Sequence, residues 1–478
     1  MELLAVGLNT FGQLGLGTRN RKDAYVPTKF GVPEEGESAP EVKADEVADV
    51  QCGCHATIVL NKDGGVQIAG SVADVVSPVL EKIQLFFPQK ALELACGRKH
   101  VLLLFEGGCV MSWGTGYFGQ LGHGNDNSLE DPVLINALAP QALGARVTSV
   151  AAGGNHSGCV TDSGMAFMWG LNRSGQCGAN VKSDVILSPK PVDTKRAVQM
   201  NNGRSVRVRQ LVCGRNHSAF VSTDNKVYTW GATTFGRTGL NVSSNVKVQS
   251  IPVELPGINS VKLACGDFHM VALSESGNMY SWGYGCDGQT GHSSLLHVRR
   301  PRKLDYFQDR DIVIDEIQCG SCYSMAKDVD GYVYAWGYGD GGWMGLKPPP
   351  SDEMILVESD DAAKYPIING HAHVHSFDSY HTVIQPQKLT MLKNKVVHAM
   401  RCGGAHSVLF ATPRPSSSSD IGSDIGSVFD EKVDESLDAG EGGLSGLGFK
   451  NMMSVDSESE GSVDQGEDTA VDSRTGKK

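Results

Sequence analysis

One pattern recurs along this chain and limits what it can fold into. A β-rich run ends in Trp-Gly, a glycine-rich turn follows, and after a variable stretch an apolar strand runs into Cys-Gly with a His shortly beyond. Met111-Ser112-Trp113-Gly114, followed by Gly119-Gln120-Leu121-Gly122, is the clearest first half. Trp-Gly returns at Trp169, Trp230, Trp282 and Trp336, with Val6-Gly7 and Ala69-Gly70 as weaker copies. The turn returns as Gly12-Gln13-Leu14-Gly15, Gly175-Gln176-Cys177-Gly178, Gly236-Arg237-Thr238-Gly239 and Gly288-Gln289-Thr290-Gly291. It decays to Gly342-Trp343-Met344-Gly345 and is missing around Ser71 to Ser77. The second half ends in His55, His100, His156, His217, His269 and His406, with Tyr323 standing in once. The steps between these seven positions are 45, 56, 61, 52, 54 and 83 residues.

A unit of this size predicts one small twisted sheet. Segments such as Val227-Tyr228-Thr229-Trp230 carry the β-branched and aromatic residues that suit strands. Glycine pairs three apart supply the backbone freedom of tight turns. The 58 glycines in 478 residues fit many such turns. A single sheet of this kind cannot bury both faces, but a closed ring of them can. The fold expected is therefore all-β: a seven-bladed β-propeller over residues 1–412, with the Trp residues packed between neighbouring sheets. The chain starts inside a unit and the repeats stop after Cys402 to Ala411, one strand short. The N-terminal strand Leu3 to Val6 is expected to complete the last sheet and remove its open edge.

Trp-Gly, Gly-Gln-Leu-Gly and Cys-Gly-x-x-His-Ser in seven copies resemble the repeats of the regulator of chromosome condensation family, over residues 1 to about 412. The resemblance implies a seven-bladed propeller. It also implies a partner-binding face built around the Cys-Gly-x-x-His turns, since the founding member is a guanine nucleotide exchange factor for the small GTPase Ran. The residues before each His or its stand-in are read as Cys54, Lys99, Asn155, Asn216, Phe268, Cys322 and Ala405, and Asp267 is the only carboxylate in these turns. The candidate contact residues are Asn155, Asn216, Asp267 and Tyr323. Family members that sense ultraviolet-B light carry Trp in such turns. Here Arg98-Lys99-His100 and Arg215-Asn216-His217 have none, which argues against light sensing.

Other features point to binding rather than chemistry. There is no Ser-His-Asp order, Walker loop or dinucleotide fingerprint, so no catalytic residue and no cofactor are expected. The six repeated His read as structural, one per unit. His371-Ala372-His373-Val374-His375, with Asp378 and His381, is the tightest His cluster. On a strand its alternate side chains share a face, but it sits in an insertion read as loop, and no metal is assigned to it. Twelve cysteines spread through the repeats read as buried hydrophobes, not disulfides. The longest apolar runs are too short to span a bilayer, and the N-terminus has no secretory pattern. An intracellular monomer, cytoplasmic and also possible in the nucleus, is expected.

Of the net charge of −12, residues 413–478 carry −9. The nearly neutral body argues against direct nucleic-acid binding. The Ser-, Gly- and acid-rich tail is expected to be disordered, with Leu447, Phe449, Met452 and Met453 as its one apolar patch. Insertions at 31–48 and 347–390 are expected to serve as contact loops. Two functions fit: a scaffold that binds protein partners, or an exchange factor for a small GTPase. An exchange factor needs no catalytic side chain, only tighter binding of the nucleotide-free GTPase.

Overall fold

The structure is a computed structural model. It describes residues 1–17, 23–31, 42–73, 75–195, 203, 205–243, 245–339, 342–346 and 382–415, and the backbone of strands Ile355–Glu358, Lys364–Ile368 and His371–His373. The expectations for the acidic tail, for most of the 31–48 insertion, and for the side chains of the 371–381 His cluster fall outside these residues.

Seven antiparallel sheets form a propeller. From the axis outward, blade 1 is Val47–Cys52, Ala56–Asn61, Val66–Val72 and Val75–Ile83. Blade 2 is Ala91–Cys96, His100–Phe105, Val110–Gly114 and Leu129–Leu134. Blade 3 is Val147–Ala152, His156–Thr161, Ala166–Leu171 and Val185–Pro191. Blade 4 is Val208–Cys213, His217–Ser222, Lys226–Ala232 and Val248–Asn259. Blade 5 is Lys262–Cys265, His269–Leu273, Met279–Gly283 and Val298–Lys303. Blade 6 is Ile314–Cys319, Tyr323–Asp328, Val333–Tyr338 and His381–Lys388. Blade 7 takes Lys395–Cys402 and His406–Pro413 from one end of the ring, then Glu2–Gly7 and Ala24–Lys29 from the other.

Three expectations need correction. The repeats stop two strands short of a full blade, not one: the N-terminal residues supply the third and the outer strand of blade 7. Glu2–Gly7 pairs with the second strand from Glu2↔Ala411 through Gly7↔His406. The long insertion is not loop alone, because Ile355–Glu358, Lys364–Ile368 and His371–His373 add three strands to the outer edge of blade 6. Finally, His55 is not the repeat histidine. Cys52 pairs with Thr57 as Cys96 pairs with Val101, so Ala56 occupies the position of His100, and His55 lies one residue earlier, stacked on Phe11.

The motif residues meet at the junctions between blades. His100 Nε2 lies 2.9 Å from Ser157 Oγ of the next blade, and His156–Ser218, His269–Ser324 and His406–Thr57 repeat this at 2.8 Å. Each hydroxyl spends its own proton on a backbone carbonyl in the preceding blade's glycine turn: Gln120 for Ser157, Gln176 for Ser218, Gln289 for Ser324 and Gln13 for Thr57. The hydroxyl must therefore accept from the imidazole, which assigns the proton to Nε2. In blades 3, 4 and 6 the same carbonyls also accept from the indole N–H of Trp169, Trp230 and Trp336. Tyr323 makes the junction between blades 6 and 7 through His406 O (2.7 Å) and Ser407 Oγ (2.8 Å). Ala56 of blade 1 faces a blade whose equivalent position is Val101, an apolar pair. His217 stands out: the equivalent position in blade 5 is Met270, and neither of its ring nitrogens has a partner.

This packing explains the glycine of Cys-Gly-x-x-His. The imidazole folds back over it, so a Cβ on Gly97 would collide with His100 Cε1 and lie 2.6 Å from Gly153 O. On Gly53, where Ala56 replaces the His, the nearest atom would be 3.2 Å away. Gly97→Ala is thus expected to destabilise by about 3 kcal/mol and Gly53→Ala by about 1 kcal/mol or less. Equal shifts in urea midpoint would refute this account.

Inner strands of neighbouring blades are not hydrogen-bonded to one another as ladders, and side chains bridge some of the gaps. Glu93 Oε1 accepts from Val150 N, Gln210 bonds both Leu263 N and O, and Glu316 accepts from Met400 N. Arg401 ties the closing blade to both flanks, with Nη2 2.7 Å from Asp49 and Nη1 3.3 Å from Glu316.

Candidate functional site

The carbonyl of the residue before each repeat His accepts from the residue just past the Trp-Gly position: Lys99 from Thr115, Asn155 from Leu171, Asn216 from Ala232, Phe268 from Tyr284 and Cys322 from Tyr338. Each Cys-Gly-x-x-His turn and the glycine turn of its own blade therefore emerge on one face of the ring. At the centre of that face the seven Cys-Gly or Ala-Gly turns surround a depression of about 120 Å³. Successive turns are linked by backbone bonds such as Gly154 N to Gly214 O, Asp267 N to Ser321 O and Gly404 N to Gly53 O.

The structure places Asn155, Asn216 and Asp267 on this face, each half-buried. Asp267 Oδ2 lies 4.0 Å from Arg215 Nη1, and Gln176 Nε2 approaches Asn216 Oδ1 at 3.5 Å. Tyr323 is removed from the contact set. Its side chain is fully buried and its hydroxyl is used at the junction of blades 6 and 7, where no docked partner reaches it.

Around Asp267 lies a cluster that sequence reading missed. Phe235 contacts Tyr284 (5.1 Å between centroids), His297 (5.0 Å) and Phe268 (6.4 Å). The Arg237 guanidinium sits 4.8 Å from the Phe268 centroid and Arg215 5.4 Å, a cation–π arrangement. His297 Nδ1 accepts from Gly285 N, which leaves Nε2 for the proton of the neutral ring. Phe235 has φ +60°, a left-handed conformation that costs a bulky residue on the order of 1–3 kcal/mol. The signal was present as departure from the repeat: Arg237 stands where four of the other turns have Gln, and Phe268 follows the lone Asp.

All twelve cysteines are free thiols. Burial holds the repeat cysteines protonated, pushing Cys213 and Cys402 up to about 12, and likewise pushes Cys54 up to about 11. Burial likewise holds His100 down to about 4 and His156, His269 and His406 to about 3. Among the described residues no group of three or more His, Cys, Asp or Glu is placed to hold a metal ion, and no helix is long and apolar enough to cross a membrane.

Comparison with known proteins agrees with the fold. The model of the RCC1-like domain matches residues 1–313. The E3 ubiquitin-protein ligase HERC2 of Homo sapiens is 33% identical over 358 residues, covering 74% of this chain and 6% of HERC2. The ultraviolet-B receptor UVR8 of Arabidopsis thaliana is 31% identical over 278 residues, 58% of this chain and 59% of UVR8. The chain thus spans only a small part of the first relative and under two thirds of the second. Among solved structures, Prp20p of Saccharomyces cerevisiae, described with its binding to Gsp1p and histones, superposes with a TM-score of 0.68 at 21% identity, covering 87% of this chain and 92% of that one. Human WBSCR16 gives 0.66 at 20% identity, covering 86% and 100%. With its repeats, its seven blades and this match over most of the propeller, the chain belongs to the RCC1-like domain family.

Proposed function

We propose that the propeller (residues 1–412, ahead of the solvating tail 413–478) is a non-catalytic protein-binding module that acts as a monomer and docks its partner on the face of the Cys-Gly-x-x-His turns. One observation carries this reading. The repeat His and Cys side chains are committed to packing, whereas Phe235, Phe268, Tyr284, His297, Arg215 and Asp267 gather half-exposed on that face, at the cost of a strained backbone at Phe235. Aromatic and arginine side chains in such a patch are the usual anchors of an interface, and outliers in backbone geometry concentrate at functional sites. Asn155 and Asn216 lie on the same face as rim contacts. Phe268→Ala and Asp267→Arg are expected to weaken partner binding by about 10-fold or more, while Glu106→Lys, in the hairpin turn at the opposite end of blade 2, leaves it unchanged. Capture of the same partner with equal affinity by all three variants would sink the proposal.

A second reading is guanine nucleotide exchange on a small GTPase. It is supported by the fold likeness to Prp20p, which binds Gsp1p, and by the one carboxylate of these turns, Asp267, lying on that face. The test is nucleotide release from a panel of GTPases including Ran. Stimulation by the chain that Asp267→Ala removes supports exchange; release at the intrinsic rate for the whole panel rejects it.

A further inference from the structure

We propose that the cleft between blades 1 and 2 is a second binding site, which takes a glycine-rich turn of a partner protein carrying an apolar side chain and a neighbouring basic residue. The argument starts from what fills the other junctions. In blades 2 to 5 and in blades 6 and 7 a Gly-x-x-Gly turn packs against the next blade. Its third residue is buried in every case: Leu14, Leu121, Cys177, Thr238, Thr290 and Met344 are 0–1% exposed. The second glycine lies against the next indole, so that a Cβ on Gly122 would be 2.8 Å from Trp169 Nε1. A backbone carbonyl of the turn accepts the indole proton, from Trp169, Trp230, Trp282 and Trp336 at 2.9, 2.8, 3.2 and 2.9 Å.

Blade 1 has no such turn. Its third and outer strands join in a tight hairpin, Val72 pairing with Val75 and Ala73 at φ +52°. Where the turn would sit, a cavity of about 620 Å³ remains, lined by Ile68, Val72, Met111 and Trp113 among others. That volume lies in the range of ordinary ligand sites. Trp113 is 2% exposed and lines this cavity, and the turn whose carbonyl takes the indole proton of its counterparts is the one that blade 1 lacks. The indole N–H opens onto this cleft, within reach of an incoming carbonyl. The rim adds exposed apolar surface at Val75 (52%) and Phe86 (91%).

The occupant follows from these groups. It must bring a carbonyl to Trp113 Nε1, a backbone free of Cβ where it meets the indole, and an apolar side chain for the space between the blades. The charged rim is Glu81, Glu130 and Asp131 against Lys82, so a basic residue beside the turn is attracted and an acidic one repelled. This site lies between blades 1 and 2, whereas Phe268 belongs to blade 5.

The test uses the full chain and a fluorescein-labelled peptide of the sequence of Tyr117 to Gly122 followed by two lysines, read by fluorescence anisotropy. Saturable binding is expected, weakened at least 10-fold by Phe86→Asp, weakened by Glu130→Lys more at low than at high salt, and unchanged by Phe268→Ala. Replacing residues 73–74 by a Gly-Gln-Leu-Gly turn should fill the cleft, abolish binding and raise the melting temperature. Binding that survives both Phe86→Asp and the inserted turn would overturn the proposal. So would binding seen only in a chain ending at Pro415, which would assign the cleft to the chain's own Gly443–Gly448, whose Gly-x-x-Gly-Leu-Gly order repeats that of Gly12–Gly17. Loss of binding on Phe268→Ala would instead place the peptide on the first face.

Discussion

Deleting residues 1–7 is expected to lower the melting temperature by about 10 °C and to produce concentration-dependent association. Leu3, Leu4, Ala5 and Val6 are 0–6% exposed in blade 7. At about 2 kcal/mol for each large side chain their burial contributes on the order of 6 kcal/mol, a large part of the 5–15 kcal/mol typical of a folded protein. The loss spreads further, because Ala24–Lys29 pairs only with this strand and would lose its ladder. The bared edge of His406–Pro413 would offer unpaired amides and carbonyls to a second molecule. The Lys395–Glu2 ion pair is partly exposed and adds little, so Glu2→Ala should leave the melting temperature within about 1 °C. Calorimetry on the two variants separates strand closure from the ion pair. An unchanged melting temperature for the deletion would mean the ring does not depend on this strand.

Stability is expected to fall steeply between pH 7 and pH 4. His100, His156, His269 and His406 are held down to about 4, 3, 3 and 3 by burial, against about 6.5 in an unfolded chain. A depressed folded value means the unfolded state takes up protons first as pH falls. Their contribution is complete above pH 6.5 and is lost progressively below it. At pH 5 each costs about 2 kcal/mol, and the set several times that. His217, held well below its ordinary value by burial and by the Arg237 charge, acts in the same direction. Glu93 opposes them, since burial raises it to about 7 and its protonation favours the fold. Glu316, also raised by burial, acts the same way. These two carboxyls face seven histidines, since burial lowers His123 and His292 as well. Urea midpoints at pH 7.5 and pH 5.0 should therefore differ strongly, and His156→Leu should flatten the difference. Equal midpoints would show that the imidazoles are not confined as the junctions require.

Much of this was readable in the residues. Trp-Gly, Gly-x-x-Gly and Cys-Gly-x-x-His are short-range patterns, and their sevenfold recurrence forces a ring because a small sheet with two apolar faces has nowhere else to hide them. The half-blade offset was not readable. The repeat as written in sequence runs from the third strand of one blade to the second strand of the next, so the motif describes a junction rather than a blade. His55 was misread for a related reason: it lies one residue from the expected spacing, and only the pairing of Cys52 with Thr57 shows that Ala56 holds the position. The aromatic patch was invisible because Phe235, Phe268, Tyr284 and His297 span 63 residues of chain and two blades.

The sequence by itself determined the blade number, the core role of Trp and Cys, the participation of the N-terminal strand in closure, and the family. Those follow from local periodicity and from the need to bury apolar faces. Only the tertiary structure decided that four of the repeat histidines donate a hydrogen bond to the neighbouring blade's hydroxyl, that Tyr323 is sealed inside while Asp267 stays on the face, and that a lost turn leaves a cleft beside Trp113. Each of these depends on which atoms meet across a blade boundary, and that is fixed by ring closure, which brings together residues some 50 positions apart that no local pattern connects.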